Sequence, residues 1–466
     1  MPQYTEWFQL TTTTTALNTC ASYIGWGVAA LFMGPAVEAV GRKGGVVMSV
    51  ILKLIGIALM AGAHNVLMFV IGRIILGWGT GTAAIGASTW LAETLPSKIR
   101  GLGLSITYSV YFVGALMASG VCIGTEYIDD EWSWRIPCLL QSIFSIGCVC
   151  VLWFTPESPR WLAYHGRVDE SLKVLASIYA DGDASNTQVL QEHKAILDQL
   201  NWERNKGKKL TYSEIFRTRN AYRRVALAMS VAIIGMMSGN NIVSYYLGDM
   251  LNGAGIYDDT TQLQINVILN AWSLVCSLIG TYSMDKAGRK TLCLIACIGM
   301  TISLFLVGAL TKLYGTGENL SGAYANVAMI FVFQGFYSVG ITPITQLYPP
   351  EVMNYSIRTN GMALWAFCVT ATGLFTTFVF PFGFAAIGWI MYMINAAYDV
   401  LQIIYVALYW VETKGLTLEE IDNIMDRIKK PAVAVIDGIP GDAGSQLRSS
   451  KMNMGAGVKE MGKLEE

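Results

Sequence analysis

A chain of 466 residues that is 53% hydrophobic and only 14% charged, with a mean hydropathy of +0.45, falls outside the range of ordinary soluble domains and takes the lipid bilayer as its solvent. The net charge of -1 points to no partner by itself, and nothing in the pattern asks for a nucleic acid. Nine Cys scattered mostly through apolar runs, without a CxxC pair, give neither a disulfide framework nor a metal site.

Residues 1–18 are polar and Thr-rich and lack the basic region and cleavage site of a signal peptide. Apolar stretches of spanning length follow at 17–38, 45–63, 66–91, 102–124 and 134–154. A polar run from Pro156 to Arg224 interrupts them, and six more follow at 222–247, 262–284, 291–311, 325–347, 360–381 and 386–410. The runs show no period-two alternation, and only helices or closed barrels satisfy backbone groups in lipid, so an all-α chain of eleven spans is predicted. Its parts are an N-terminal bundle over 1–155, a linker over 156–221, a C-terminal bundle over 222–411 and a tail over 412–466, unstructured after Ile428. Within the linker, amphipathic helices are expected over Val168–Tyr179, with Leu172, Leu175, Ala176 and Tyr179 on one face, and over Val189–Leu200, with Leu190, Ile196 and Leu200.

Lys and Arg concentrate in alternate connectors: Arg42 and Lys43, Lys98 and Arg100, the linker, Lys286 with Arg289 and Lys290, Arg358, and the tail. The other connectors carry Glu126, Asp129, Asp130, Glu131, Asp258 and Asp259, with Lys312 almost their only cation. The positive-inside rule therefore predicts a cytosolic linker and tail, with Met1 outside. Asn319-Leu-Ser321 then becomes an external glycosylation sequon, and Asn354-Tyr-Ser356 an internal, inert one.

The chain also repeats itself. Glu38-Ala-Val-Gly-Arg-Lys43 returns as Asp285-Lys-Ala-Gly-Arg-Lys290, the spacing of Glu93 and Arg100 returns in Glu351 and Arg358, and Pro156-Glu-Ser-Pro-Arg160 is echoed by Val411-Glu-Thr-Lys414. Offsets of 247, 258 and 255 residues describe a whole bundle duplicated in parallel, as in secondary transporters whose substrate sites lie between the halves. The Asp285 loop follows the second span of its half and the Glu38 loop only the first, so the duplication predicts a further helix before residue 17 that this sequence does not carry. Ion pairs among Glu38, Arg42, Glu93, Arg100, Asp285, Arg289, Glu351 and Arg358 are expected to gate the helix ends, each link contributing about a kcal/mol or a few.

These elements, with GR at 72–73, ETLPSKIRG at 93–101, WRIP at 134–137, PESPRWL at 156–162, SGNNIVSYYL at 238–247, LYPPEVMNYSIRTNGMAL at 347–364 and VETKGLTLEE at 411–420, cover nearly the whole chain in order. On them the chain resembles the sugar porter family of the major facilitator superfamily, and in particular fungal lactose-permease-like and hexose-transporter-like members. The resemblance implies two pseudo-symmetric helical bundles that carry a small polyhydroxylated solute by alternating access, with no enzymatic activity and no cofactor. A monomer in the plasma membrane is expected.

The family's SGNN motif lines the sugar site, which assigns Asn240, Asn241, Tyr245 and Tyr246 to substrate. Thr345 and Gln346, beside the helix-loosening Pro343, and Trp365, Thr370 and Tyr108 complete the candidates. The sequence departs from the family at Gly235, Met236, Ala366 and Val369, where amides are usual, so a less polar pocket is predicted. The family's proton-binding Asp lies on the helix this chain lacks; Asp399 and Arg73 remain as intramembrane charges, with Asp399 the candidate for proton coupling. Two alternatives stay open: a transporter of a non-sugar secondary metabolite, and a sensor or inactive paralogue that binds without transporting.

Overall fold

A computed structural model describes residues 4, 7–205, 212–245, 247–253, 255–314, 319–353, 355–414, 421 and 424–425. The helices in chain order are α1 (Thr12–Val40), α2 (Arg42–Ala61), α3 (Val66–Thr94), α4 (Ser97–Glu126) and α5 (Trp132–Phe154). The linker carries α6 (Pro159–Tyr164), α7 (Val168–Tyr179), α8 (Thr187–Asn205) and α9 (Tyr212–Arg217). The second half holds α10 (Arg219–Met237), α11 (Asn240–Tyr245), α12 (Leu247–Gly253), α13 (Asp259–Ala287) and α14 (Arg289–Tyr314). It continues through α15 (Leu320–Phe336), a π-helical segment (Tyr337–Ile341), α16 (Thr342–Val352), α17 (Tyr355–Ile387) and α18 (Ile390–Tyr409). No strand occurs among the described residues.

Ten helical stretches are long and apolar enough to cross a membrane, five in each half, and they coincide with ten of the eleven expected spans. The remaining one, 222–247, is not a single helix. It stops at Met237, turns through Ser238 and Gly239, where φ is 90°, and restarts at Asn240. The reason is local: Gly adopts the left-handed backbone without steric cost, and short polar side chains compete for backbone groups that a continuous helix would use.

Helix starts carry side-chain caps. Thr11 and Thr14 form a reciprocal capping box at α1, Asn65 accepts from Met68 N at α3, Asp258 from Thr261 N at α13, and Asn319 from Gly322 N at α15. Asn319, the expected glycosylation site, is exposed.

In the linker, α7 forms over the predicted residues, with Leu175 and Ala176 buried against Val189 and with Leu172, Tyr179 and Ile196 packed around them. Leu190 corrects the expectation for α8: it is 48% exposed while Val189 is fully buried. Val189, His193, Ile196 and Leu200 follow the helical 4-3-4 spacing, which a face starting at Leu190 breaks.

The halves meet along two seams. Tyr23 of α1 donates to the sulfur of Met236 at 3.9 Å. On the other side, Ser109 and Thr281 hydroxyls lie 3.4 Å apart, and Asn270 of α13 donates to Ser119 of α4 at 2.9 Å. The tail beyond Ile428 lies outside the described residues.

Candidate functional site

The charged motifs fold into two copies of one cluster. In the first half, Gly41 ends α1 with φ 101° and lets α2 begin one residue later. Arg42 then grips Glu93 of α3 through two bonds, Nε to Oε2 at 3.1 Å and Nη2 to Oε1 at 3.0 Å. Ser158 also donates its hydroxyl to Glu93. The Glu157 carboxylate accepts from the backbone N–H of Lys43, at 3.2 and 3.1 Å, and from that of Ser158 at 2.8 Å. The Lys43 ammonium donates to Thr155 O at 3.0 Å.

The second half repeats the arrangement with small differences. Gly288 has φ 95°, Arg289 Nη2 meets Glu351 Oε1 at 3.2 Å, and Thr413 donates its hydroxyl to Glu351 at 2.7 Å. Glu412 accepts from the N–H groups of Arg289, Lys290 and Thr413 at 2.8, 3.0 and 3.0 Å, while Lys290 Nζ donates to Ala407 O at 2.8 Å. Each glutamate thus places a full negative charge against the unsatisfied amides and positive dipole end of a helix start, where charge-assisted bonds are short and strong.

The expected pairs Arg42–Glu93 and Arg289–Glu351 are therefore present. Glu38 is a correction: it is exposed and forms no ion pair among the described residues, and its contribution is a backbone carbonyl that accepts from Trp161 Nε1 at 2.7 Å. The side chains of Arg100, Asp285 and Arg358 lie outside the described residues. Sequence reasoning passed over Glu157, Ser158, Glu412 and Thr413 as members, although the echo of PESPR in VETK marked both places.

The second feature is the break between α10 and α11. A helix C-terminus leaves its last carbonyls without intrahelical partners. Here three consecutive ones are satisfied by three different elements. Tyr337 of the π-helical segment donates to Gly235 O at 3.1 Å, and Asn241 of α11 donates to Met236 O at 3.1 Å. Asn395 of α18, its carboxamide oriented by its neighbours, donates to Met237 O at 3.0 Å and accepts from Gly239 N at 3.1 Å. An unpaired buried carbonyl costs about 1–3 kcal/mol, so the break is held open by these contacts, two of which, from Tyr337 and Asn395, arrive from distant sequence.

The proposed substrate residues divide around it. Asn241 is buried and its amide also donates to Thr376 of α17 at 2.6 Å, so it staples the break to its neighbour. Asn240 is half-buried, and its Oδ1 has no partner among the described residues; the same holds for the buried Trp365 Nε1. Thr345 and Thr370 are buried and donate to their own helices, to Ile341 O and Ala366 O at 2.8 Å each. Gln346 is half-buried. Tyr246 lies outside the described residues, as do the side chains of Tyr108 and Tyr245. Thr376, Tyr337 and Asn395 were missed by sequence reasoning; only a polar residue in an apolar run marked them. Ser338 and Thr342, also buried, present hydroxyls without partners among the described residues, in and just after the π-helical segment, a structure that recurs at functional sites.

Beyond the break, Leu247, Gly248 and Leu251 of α12 join Glu126, Asp259, Gln262 and Asn266 around a cavity of about 190 Å³. Arg73 is occupied structurally: it donates to Asn18 O at 3.0 Å and lies over the Phe69 ring. Asp399 is buried in the middle of α18. Among the described residues there is no cluster of side chains able to hold a metal ion.

A helical bundle with duplicated charge clusters and a broken helix at the start of its second half defines a membrane transporter of the major facilitator type, and comparison with known proteins agrees. The chain belongs to the sugar (and other) transporter family, whose sequence profile matches residues 2–425. A high-affinity glucose transporter of Kluyveromyces lactis is 29% identical over 425 residues, covering 86% of this chain and 76% of that one. A glucose transporter, mfs1, of Aspergillus flavus is 28% identical and covers 88% and 81%. Among solved structures, the proton:xylose symporter XylE, bound to 6-bromo-6-deoxy-D-glucose, superimposes with a TM-score of 0.76 at 22% identity, over 91% of this chain and 93% of that one. At that identity the likeness carries the fold.

Proposed function

We propose that this transporter carries a sugar or a similar small polyhydroxylated solute, by alternating access, through a site centred on the break between α10 and α11. The observation that carries this reading is the pair of Asn residues at the break: Asn241 holds the backbone open, and Asn240 offers a carboxamide oxygen without a partner among the described residues. Buried polar groups without partners are costly unless a ligand completes them, and a carboxamide matches a sugar hydroxyl as both donor and acceptor. The indole N–H of Trp365, also without a partner among the described residues, adds a donor beside an aromatic face. The relatives named above, glucose transporters by name, favour the same solute class.

The two charge clusters suit a gate in this reading. Their bonds join helix ends to the segments that leave the bundle at Glu157 and Glu412, and partly buried ion pairs stabilise whichever arrangement lets them form. With the Lys- and Arg-rich connectors cytosolic, both clusters fasten the inner face, in the plasma membrane of the cell.

Expression in a yeast strain without hexose uptake tests the proposal with labelled glucose, xylose and myo-inositol. Saturable uptake of at least one, with KM raised about tenfold in Asn240→Ala, is the expected result, since one lost hydrogen bond of this kind amounts to about 1–2 kcal/mol. Surface-resident protein that moves none of the three overturns the solute assignment.

A further inference from the structure

The last spanning helix contains an acid that the reading above does not use. Asp399 lies ten residues into the 20-residue α18, is 1% exposed, and neither of its carboxylate oxygens has a hydrogen-bond partner among the described residues. One helical turn before it, Asn395 bridges the broken helix between Met237 O and Gly239 N, and the adjacent Tyr398 hydroxyl reaches the Met237 sulfur at 3.8 Å. An isolated carboxylate at this depth costs several kcal/mol unless it is paired or neutralised.

Among the described residues, the surrounding charges leave it no cation. On α14, packed along α18, the cations stand at the helix ends: Arg289 holds Glu351, Lys290 holds Ala407 O, and Lys312 lies over the Trp389 ring. The α14 interior contributes only the thiols of Cys293 and Cys297. On α10, Arg219, Arg223 and Arg224 fall in the first turns, with Arg224 donating to Val352 O. On α17, Cys368 is the titratable group of the described interior, and its thiol donates to Met229 O.

We infer that Asp399 is a proton-binding site of the transport cycle, coupled to the solute site through Asn395 and the break at Gly239. In the closed arrangement the side chain is a neutral carboxylic acid; when the break rearranges and water reaches α18, it releases the proton to that side as a carboxylate, and the proton returns from the other side. A sodium ion is a poorer fit, because it requires several oxygen ligands: the Asn395 carboxamide, one turn before, is already committed to the backbone on both sides, and the buried Gln402, three residues on, adds a single carboxamide oxygen. The inference rests on the transport reading for its place in a cycle, and on the isolated acid for its chemistry.

Two measurements on the full-length protein test it separately from the solute. Infrared difference spectra of the purified, solute-free protein across a pH titration show a protonated-carboxyl stretch in the wild type that is missing in the isosteric Asp399→Asn. In proteoliposomes with one pH unit across the membrane, the wild type accumulates solute about tenfold, and Asp399→Asn exchanges solute at a similar rate but brings it only to equal concentrations. A band that survives the substitution, gradient-driven accumulation by Asp399→Asn, or accumulation that follows sodium instead of protons each overturns the inference. Lack of uptake of every sugar tried, with the band behaving as stated, overturns the solute assignment alone.

Discussion

Glu157 and Glu412, 255 residues apart in the chain, hold the same station in the two halves: each carboxylate accepts from backbone amides at the start of a helix and from the amide of the residue that follows it, Lys43 and Ser158 in one case, Arg289, Lys290 and Thr413 in the other. The bonds are charge-assisted and sit at the positive end of a helix dipole, so they depend on ionised carboxylates. Glu157→Gln and Glu412→Gln keep the shape and remove the charge, at a cost of about 1–2 kcal/mol each. Thermal unfolding in detergent is expected to record a loss for either variant, and the double variant the sum within about 0.5 kcal/mol, because the clusters share no partner. A wild-type midpoint in both single variants contradicts the assignment.

The two glycines behind those helices make a sharper test. A Cβ at Gly41 would stand 2.6 Å from Glu157 Oε2, and one at Gly288 2.5 Å from Glu412 Oε2, in backbones with φ of 101° and 95°. Ala at either place therefore combines backbone strain with displacement of the carboxylate, about 1–3 kcal/mol or more. Gly34→Ala is the control. It lies within α1 with nothing within 4 Å of its Cβ, and there the substitution is expected to be neutral or to stabilise by up to about 1 kcal/mol. Equal midpoints for all three variants would refute the argument.

Why some of this was legible beforehand is visible in these residues. Span length and apolarity are set by the bilayer, so ten helices followed from composition alone, and the duplicated motifs gave Arg42–Glu93 and Arg289–Glu351 because charge pairs at helix ends have few other places to go. The break at Gly239 was hidden inside an apolar run that satisfies every length criterion. Its stability comes from Tyr337, Asn395 and Thr376, which reach it across the fold, and such tertiary caps leave no local periodicity. Leu190 shows the complementary error: hydrophobicity identified the helix, and only the register set by Val189 and Leu200 decides which side is buried.

Outside the membrane, Asp258 predicts an acid-sensitive helix start. Hydrogen bonds from the Thr261 hydroxyl and then its backbone N–H hold the Asp258 carboxyl below the usual carboxylate range. A depressed folded-state value means that the contribution is fully present above the unfolded value, near pH 4, and fades as the pH falls through the folded one. Asp258→Asn retains a capping oxygen without the titration. The stability gap between wild type and variant is expected to stay constant from neutral pH to about 5 and to narrow in stronger acid; a gap that instead changes around neutrality excludes Asp258 as its source.

Adjacent Asn residues at the break are expected to respond oppositely to the same change. Asn241 bonds Met236 O and Thr376, so Asn241→Ala strands a buried carbonyl and lowers stability by about 1–3 kcal/mol. Thr376 keeps its bonds to Thr372 O and Gly373 O, so a cycle of Asn241→Ala with Thr376→Val isolates the interhelical bond, with an expected coupling of about 1 kcal/mol. Asn240 has an unpartnered oxygen, and Asn240→Ala removes an unsatisfied atom at no such cost. Its loss should therefore appear in solute affinity with the unfolding midpoint unchanged, whereas Asn241→Ala lowers the midpoint first. If Asn240→Ala destabilises the protein while leaving KM untouched, its carboxamide serves the fold and the solute site must be sought elsewhere along α11.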